Sequence, residues 1–177
     1  MMCTPGAADG NRTVRDECVP HQATALAIAR RAILIEGDPG AGKSSLALGL
    51  IDRGAVLIGD DGVLLCRRNG MLWAVPHPNT RGMIEVRNVG IITLPVTEAP
   101  VALVIRLDVQ APRYVEQAPQ VVRAATVLPC ISLSPDAANL PIRTELALSL
   151  HGKLARTVAM GKDGSVPAGG SHDLGKG

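Results

Sequence analysis

The sequence predicts an α/β domain, a mixed β-sheet with flanking helices built around a glycine-rich strand-to-helix turn. Three observations predict it. Short apolar runs of strand length recur, among them Ala23–Ala29, Ala32–Ile35 and Ala102–Leu107. A glycine-rich segment joins the second run to a short helical pattern. An acidic pair, Asp60-Asp61, is followed by a hairpin signal, where an ordinary doubly wound chain would continue with another helix.

The elements follow in order. Ala23–Ala29 and Ala32–Ile35 read as strands. Ser44–Asp52 reads as a helix ending at Arg53-Gly54, where glycine suits the C-terminal cap. Val56–Ile58 is a buried strand leading into the acidic pair. Val63–Arg67 and Met71–Val75 flank Asn69-Gly70, the strongest short hairpin signal. Pro76–Gly82 is a loop, and Ile84–Ile92 is read as one strand. Ala102–Leu107 and Val127–Leu133 are further strands, and Ile142–Leu150 is a closing helix.

Composition bounds the rest. The 177 residues suit one domain, and the 46% apolar share supplies a core of Ala, Val, Ile and Leu. Residues 1–16 and 156–177 are small, polar or glycine-rich and are expected to be disordered, leaving 17–155 as the domain. A net charge of +2 with one Trp, one Tyr and no Phe argues against a nucleic-acid surface, which needs basic faces and stacking rings. No apolar run approaches the ~20 residues of a membrane span, and the N-terminus lacks a signal pattern, so a cytoplasmic protein without membrane contact is expected. Cys3, Cys18, Cys66 and Cys130 form no Cys-x-x-Cys pair and are read as reduced thiols, with Cys66 and Cys130 packed as small apolar groups.

The chemistry starts at Gly37-Asp38-Pro39-Gly40-Ala41-Gly42-Lys43-Ser44, a complete P-loop pattern following a strand and opening a helix. Its glycines let backbone N–H groups curl around phosphate oxygens, and the helix N-terminus adds partial positive charge. Lys43 can reach the β- and γ-phosphates of ATP, and Ser44 can ligate Mg²⁺. Asp60-Asp61 ends a strand one helix later, beside the γ-phosphate. Phosphoryl transfer needs a carboxylate there, either to orient the metal or to take the nucleophile's proton. Glu85 and Arg87 on one strand face suit a metal ligand beside a phosphate clamp. His21, Arg113 and His77 carry little by themselves: each reads first as a solvated or packing residue.

These residues together resemble HPr kinase/phosphorylase, in particular the catalytic domain of its short bacterial forms. The P-loop, then Ala47-Leu48, Asp52-Arg53-Gly54 and Leu57-Ile58-Gly59-Asp60-Asp61, follow that family's spacing. Ile84–Ile92 is similar to the family signature, with Asn88 in place of its first glycine. His21, ahead of Ala23-Thr24, resembles the family's catalytic His, and Arg113 in Pro112-Arg113-Tyr114 resembles the Arg that follows the sheet. The resemblance covers about His21 to Leu150. It implies an ATP- and Mg²⁺-dependent protein serine kinase acting on HPr or a related phosphotransferase-system carrier, as a homo-oligomer. The implied catalytic residues are His21, Lys43, Asp60, Asp61 and Arg113, with Ser44 and Glu85 at the metal. The sequence leaves open which Asp is the base.

Two departures stand out. The separate N-terminal domain of longer members is absent, and Ser134-Pro135-Asp136-Ala137-Ala138-Asn139 occupies the place of a basic, glycine-containing segment tied to dephosphorylation. The forward kinase direction is therefore expected to dominate. A small-molecule P-loop kinase and a non-catalytic ATP-binding regulatory module are the alternatives. The first lacks chain length for a lid, and the second has no need of Asp60, Asp61 and Glu85.

Overall fold

The computed structural model describes residues 17–153, and the termini expected to be disordered lie outside the described residues, as do Cys3 and His172. Eleven strands and two α-helices follow in the order β1 Cys18–His21, β2 Thr24–Ile28, β3 Arg31–Glu36, α1 Lys43–Asp52, β4 Val56–Gly59, β5 Val63–Arg68, β6 Met71–Pro76, β7 Met83–Val86, β8 Gly90–Thr93, β9 Ala99–Leu107, β10 Gln120–Arg123, β11 Thr126–Leu133 and α2 Leu140–His151.

The main sheet runs β1-β5-β6-β9-β3-β2-β4. Strand β9 pairs in parallel with β3 along one edge. Its other edge is divided: β6 pairs with Ala99 and Pro100, and β11 pairs in parallel with Val104–Leu107. Other pairings in the sheet are antiparallel, so the sheet is mixed and curls where β6 and β11 diverge. The small β7–β8 hairpin stands apart as a second sheet.

The curl buries both faces of the central strands, which explains why β3 and β9 read as continuous apolar runs without alternation. Ile33, Ile35, Leu103 and Ile105 turn one way, onto Leu46, Ala47 and Leu50 of α1 and Ala147 and Leu148 of α2. Leu34 and Val104 turn the other way, onto Val63, Leu65 and Leu72 of the folded-over β5–β6 hairpin. Each such fully buried Leu or Ile stabilises the fold by about 1.5–3 kcal/mol. At the surface, Arg53 at the C-terminal end of α1 ties that helix to Glu145 of α2.

The mixed sheet, the α1 helix and the Asn69-Gly70 hairpin are as the sequence predicts; Asn69 and Gly70 have φ of 50° and 74°, the pair of positive values that such a turn requires. Four expectations need correction. His21 does not precede the first strand but ends β1, a short edge strand whose Pro20 is tolerated only at an edge. Ile84–Ile92 is not one strand but the β7–β8 hairpin, turned at Arg87-Asn88-Val89, with Asn88 at φ 64° where the resembling family has glycine. Strand β10 has no counterpart in the sequence reading. Its turn into β11 uses Ala124 and Ala125 at φ 43° and 56°, so no Gly or Asn marks it.

The last correction concerns the thiols. Cys18 and Cys66 are not reduced but joined in a disulfide between directly opposed positions of β1 and β5. Cys130 is the free cysteine among the described residues; it is buried, and that burial is the main reason its thiol pKa is pushed up. The bond closes a chain separation of 48 residues, for which loop-closure entropy gives about 4 kcal/mol. Dithiothreitol is expected to lower Tm by about 10 °C, and Cys18→Ser to give the same Tm with or without reductant. An unchanged wild-type Tm would show that this bond does not hold the edge strand in solution.

Candidate functional site

The P-loop runs from the end of β3 to the start of α1, and local backbone needs explain its glycines. A Cβ on Gly37 would sit 3.0 Å from the Leu107 carbonyl oxygen, so only glycine lets the loop leave β3 this close to β9. Gly42 caps α1 at φ 93° and contributes no side-chain cap, so the first-turn N–H groups stay available to an anion. Lys43 Nζ donates to the carbonyls of Gly37 and Asp38, both at 3.1 Å, which folds its ammonium back over the loop.

The acidic pair is split by the backbone. Asp60 is 7% exposed. It accepts hydrogen bonds from Thr24 Oγ1 at 2.7 Å, from Ser44 Oγ at 3.1 Å to each carboxylate oxygen, and from the Glu85 N–H at 3.4 Å. Asp61 adopts φ 57° and has no hydrogen-bond partner among the described residues. It lines a cleft of about 470 Å³ with Gln22, Lys43, Ser44, Glu85 and Arg87. The Glu85 N–H bond docks the β7–β8 hairpin onto Asp60 and presents Glu85 and Arg87 to this cleft.

A larger cleft of about 1020 Å³ lies on the other side of the loop, between Glu36, Gly37, Arg106, Asp108, Asp136 and Leu140. Asp136 belongs to the Ser134–Asn139 segment, so that segment brings a carboxylate and no Lys or Arg to a cleft wall on which Arg106 is the cation.

Of the catalytic candidates, Asp60 stands behind Ser44 and does not itself line the smaller cleft, and two others lie away from it. Arg113 lies exposed between β9 and β10, lines neither cleft and has no ion-pair partner among the described residues. His21 turns to Glu36: its Nε2 is 2.9 Å from Glu36 Oε1. Arg123 meets the same carboxylate with both arms of its guanidinium, Nε at 2.7 Å and Nη2 at 2.6 Å. Burial would raise the Glu36 pKa, but the hydrogen bonds and charges of Arg123 and His21 outweigh it and hold the pKa at about 2. Sequence reasoning missed Glu36, Arg123 and Gln22. Glu36 and Arg123 are 87 residues apart with no local pattern, but Gln22 adjoins His21 and strand alternation alone would have sent one of the two elsewhere.

A carboxylate whose folded-state pKa lies below its ordinary 4.5 stabilises the fold above that value and loses the contribution as pH falls toward about 2. Glu36→Gln is therefore expected to destabilise the protein most near neutral pH, with the gap to wild type closing as the solution is acidified. Urea unfolding at several pH values measures it; a gap constant with pH would mean that the carboxylate's charge is not what holds Arg123.

The Ser44 hydroxyl and the Asp61 and Glu85 carboxylates that line the smaller cleft are oxygen donors of the kind Mg²⁺ takes, though among the described residues no three carboxylates, His or Cys gather as a ready metal site. The uncapped α1 N-terminus, the glycine backbone and Lys43 suit a phosphate chain. Comparison with known proteins supplies the rest. Residues 17–98 match the family model described as HPr Serine kinase C-terminal domain. The HPr kinase/phosphorylase of Clostridium novyi is 38% identical over 85 residues, 48% of this chain and 28% of that protein. That of Clostridium kluyveri is 48% identical over 62 residues, 35% of this chain and 20% of that protein. The matches thus span about a quarter of the length of these relatives. The Hpr(Ser) kinase/phosphatase structure from Coxiella burnetii superposes with a TM-score of 0.68 at 27% identity, covering 74% of this chain and 88% of that one. The mixed, curled sheet is therefore the fold of an HPr kinase domain, and the P-loop, the acidic pair and Glu85 all fall within the matched 17–98.

Proposed function

We propose that this chain is a protein serine kinase that moves the γ-phosphoryl group of ATP onto a serine of HPr or a related phosphotransferase-system carrier, in an Mg²⁺-dependent reaction. The observation that carries the reading is the convergence of Lys43, Ser44, Asp61 and Glu85 on one cleft in a chain whose residues 17–98 match the HPr Serine kinase C-terminal domain.

Each residue has a physical task. The loop N–H groups and Lys43 bind the phosphate chain. The ammonium exchanges its bonds to the Gly37 and Asp38 carbonyls for phosphate oxygens. Ser44, oriented by Asp60, and Glu85 would hold Mg²⁺, which when bound neutralises charge on the phosphates. Asp61 accepts the seryl proton as the seryl oxygen attacks phosphorus and the bond to ADP breaks. Arg87 lines the same cleft and takes the charge-offsetting task for which Arg113 is too far out on the surface. In the reverse direction, Asp61 returns the proton to the seryl oxygen while inorganic phosphate attacks, giving pyrophosphate. The acidic Asp136 on the neighbouring cleft makes this the weaker direction, since two anions must then be held together. The exposed stripe Ile142, Leu146, Leu150 along α2 is the natural face for a homo-oligomer. Among the described residues no helix is long and apolar enough to cross a membrane, and we place the protein in the cytoplasm with its carrier.

The test is incubation with γ-labelled ATP, Mg²⁺ and purified HPr. Label on a carrier serine, lost when EDTA is added, is the expected result. Label released only as free phosphate, or transferred to a small molecule in place of the protein, would overturn the reading.

A further inference from the structure

The end of β1 sends two adjacent side chains to different places. His21 pairs in register with Val63, two residues beyond Asp61. Its ring is spent on Glu36, which is itself clamped by Arg123 from the end of β10. The three groups come from three strands and are each mostly covered, with side-chain exposures of 23%, 13% and 19% for His21, Glu36 and Arg123. Successive side chains of extended backbone point to opposite sides. The lock on His21 therefore fixes which way the next residue faces. Gln22 is exposed and lines the smaller cleft with Lys43, Ser44, Asp61, Glu85 and Arg87, while His21 does not.

We infer that Gln22, and not His21, is the residue of this segment that touches the reacting groups, its side-chain amide donating a hydrogen bond to a non-bridging oxygen of the transferring phosphoryl group. The inference rests on the kinase reading above and deepens it. A carboxamide offers two N–H donors and carries no charge, so it stabilises charge on phosphoryl oxygens without competing with Asp61 for the seryl proton. An imidazole at this place would add a titrating group beside Asp61 and Glu85; an amide adds none. Turning His21 into the cleft instead would take one of the two partners from the Glu36 carboxylate. Glu36 and Arg123 act on the reaction only through this placement, as positioning residues.

Two measurements on the full chain test the inference. The first is steady-state transfer from ATP to HPr. Gln22→Ala is expected to lower kcat about 10²-fold, the usual loss for one preorganised donor, with the KM for ATP within about threefold of wild type. His21→Asn is expected to lower Tm and to lower kcat by less than Gln22→Ala does. The reverse order of kcat losses would overturn the inference. The second measurement is the ¹⁵N side-chain amide resonance of Gln22, assigned by its loss in the Gln22→Ala spectrum, on adding MgADP with aluminium fluoride. That complex mimics the transferring group, and the Gln22 amide signal is expected to shift. A stationary Gln22 signal would overturn the inference whatever the transfer assay gives. A shifted signal in a wild-type protein that phosphorylates no carrier would instead overturn the kinase reading and leave Gln22 as a phosphoryl contact.

Discussion

Lys43→Ala is expected to lower phosphoryl transfer by about 10²–10³-fold or more, because the proposed reaction would lose a preorganised cation from the β- and γ-phosphates. Among the described residues the ammonium makes hydrogen bonds only to the carbonyls of Gly37 and Asp38 in its own loop, so its loss breaks no contact there between distant parts of the fold. Alanine is the best helix former, and position 43 is the first residue of α1. Folding is thus untouched, and the effect falls on nucleotide and rate. Thermal melting of the variant should match wild type in the absence of nucleotide, while the stabilisation of wild type by MgATP should shrink. Label transfer from γ-labelled ATP measures the rate. A variant that still labels HPr at near-normal speed would remove the P-loop from the reaction and, with it, the reading of the smaller cleft as the phosphate site.

How much of this was legible in the sequence depends on whether the signal is local. The course of the glycine-rich loop was legible because consecutive backbone carries it: the glycines at 37, 40 and 42 stand where φ is 153°, 81° and 93°, and Lys43-Ser44 follow at once. Asn69-Gly70 was legible for the same reason. The turn at Ala124-Ala125 takes equally positive φ with residues that normally avoid it, at about 1–2 kcal/mol per residue. No composition rule finds it, and β10 was lost with it. The Cys18–Cys66 bond was missed because the edge strand β1 was missed: without that pairing nothing places the two thiols opposite each other. The site divides in the same way. Lys43, Ser44, the acidic pair and Glu85 sit in motifs, and the fold brings Lys43, Ser44, Asp61 and Glu85 to one cleft with Asp60 behind Ser44. Glu36 and Arg123 meet only through the order of strands around β9. His21 and Gln22 were told apart only by that meeting, since two adjacent residues carry the same position in any spacing argument and opposite directions in a strand.

Asp61→Asn is the sharpest test of how the acidic pair divides its work. Asp60 has its two carboxylate oxygens engaged by Thr24, Ser44 and the Glu85 N–H. Taking a further proton would cost it at least one of those bonds in a buried place, where an unmet polar group costs about 1–3 kcal/mol. On the proposed reading it orients the Ser44 hydroxyl for a metal. Asp61 faces the cleft from a backbone at φ 57° and has no such commitments among the described residues. Asparagine tolerates that backbone region as well as aspartate does, so the variant keeps the turn and removes the proton acceptor alone. Loss of a general base typically costs about 10²–10⁴-fold in rate, and kcat is expected to fall by that much while MgATP affinity changes within about threefold. Asp60→Asn is expected to act differently. It turns an acceptor of the Ser44 hydroxyl into an amide that meets it less well, so the variant should need more Mg²⁺ for half-maximal rate, with partial recovery at saturating metal. Transfer rates for the two variants across a Mg²⁺ titration separate the roles. If Asp61→Asn keeps wild-type kcat while Asp60→Asn stays slow at every Mg²⁺ concentration, the proton goes to Asp60, and the hydrogen bond from Ser44 marks the acceptor and not the metal's support.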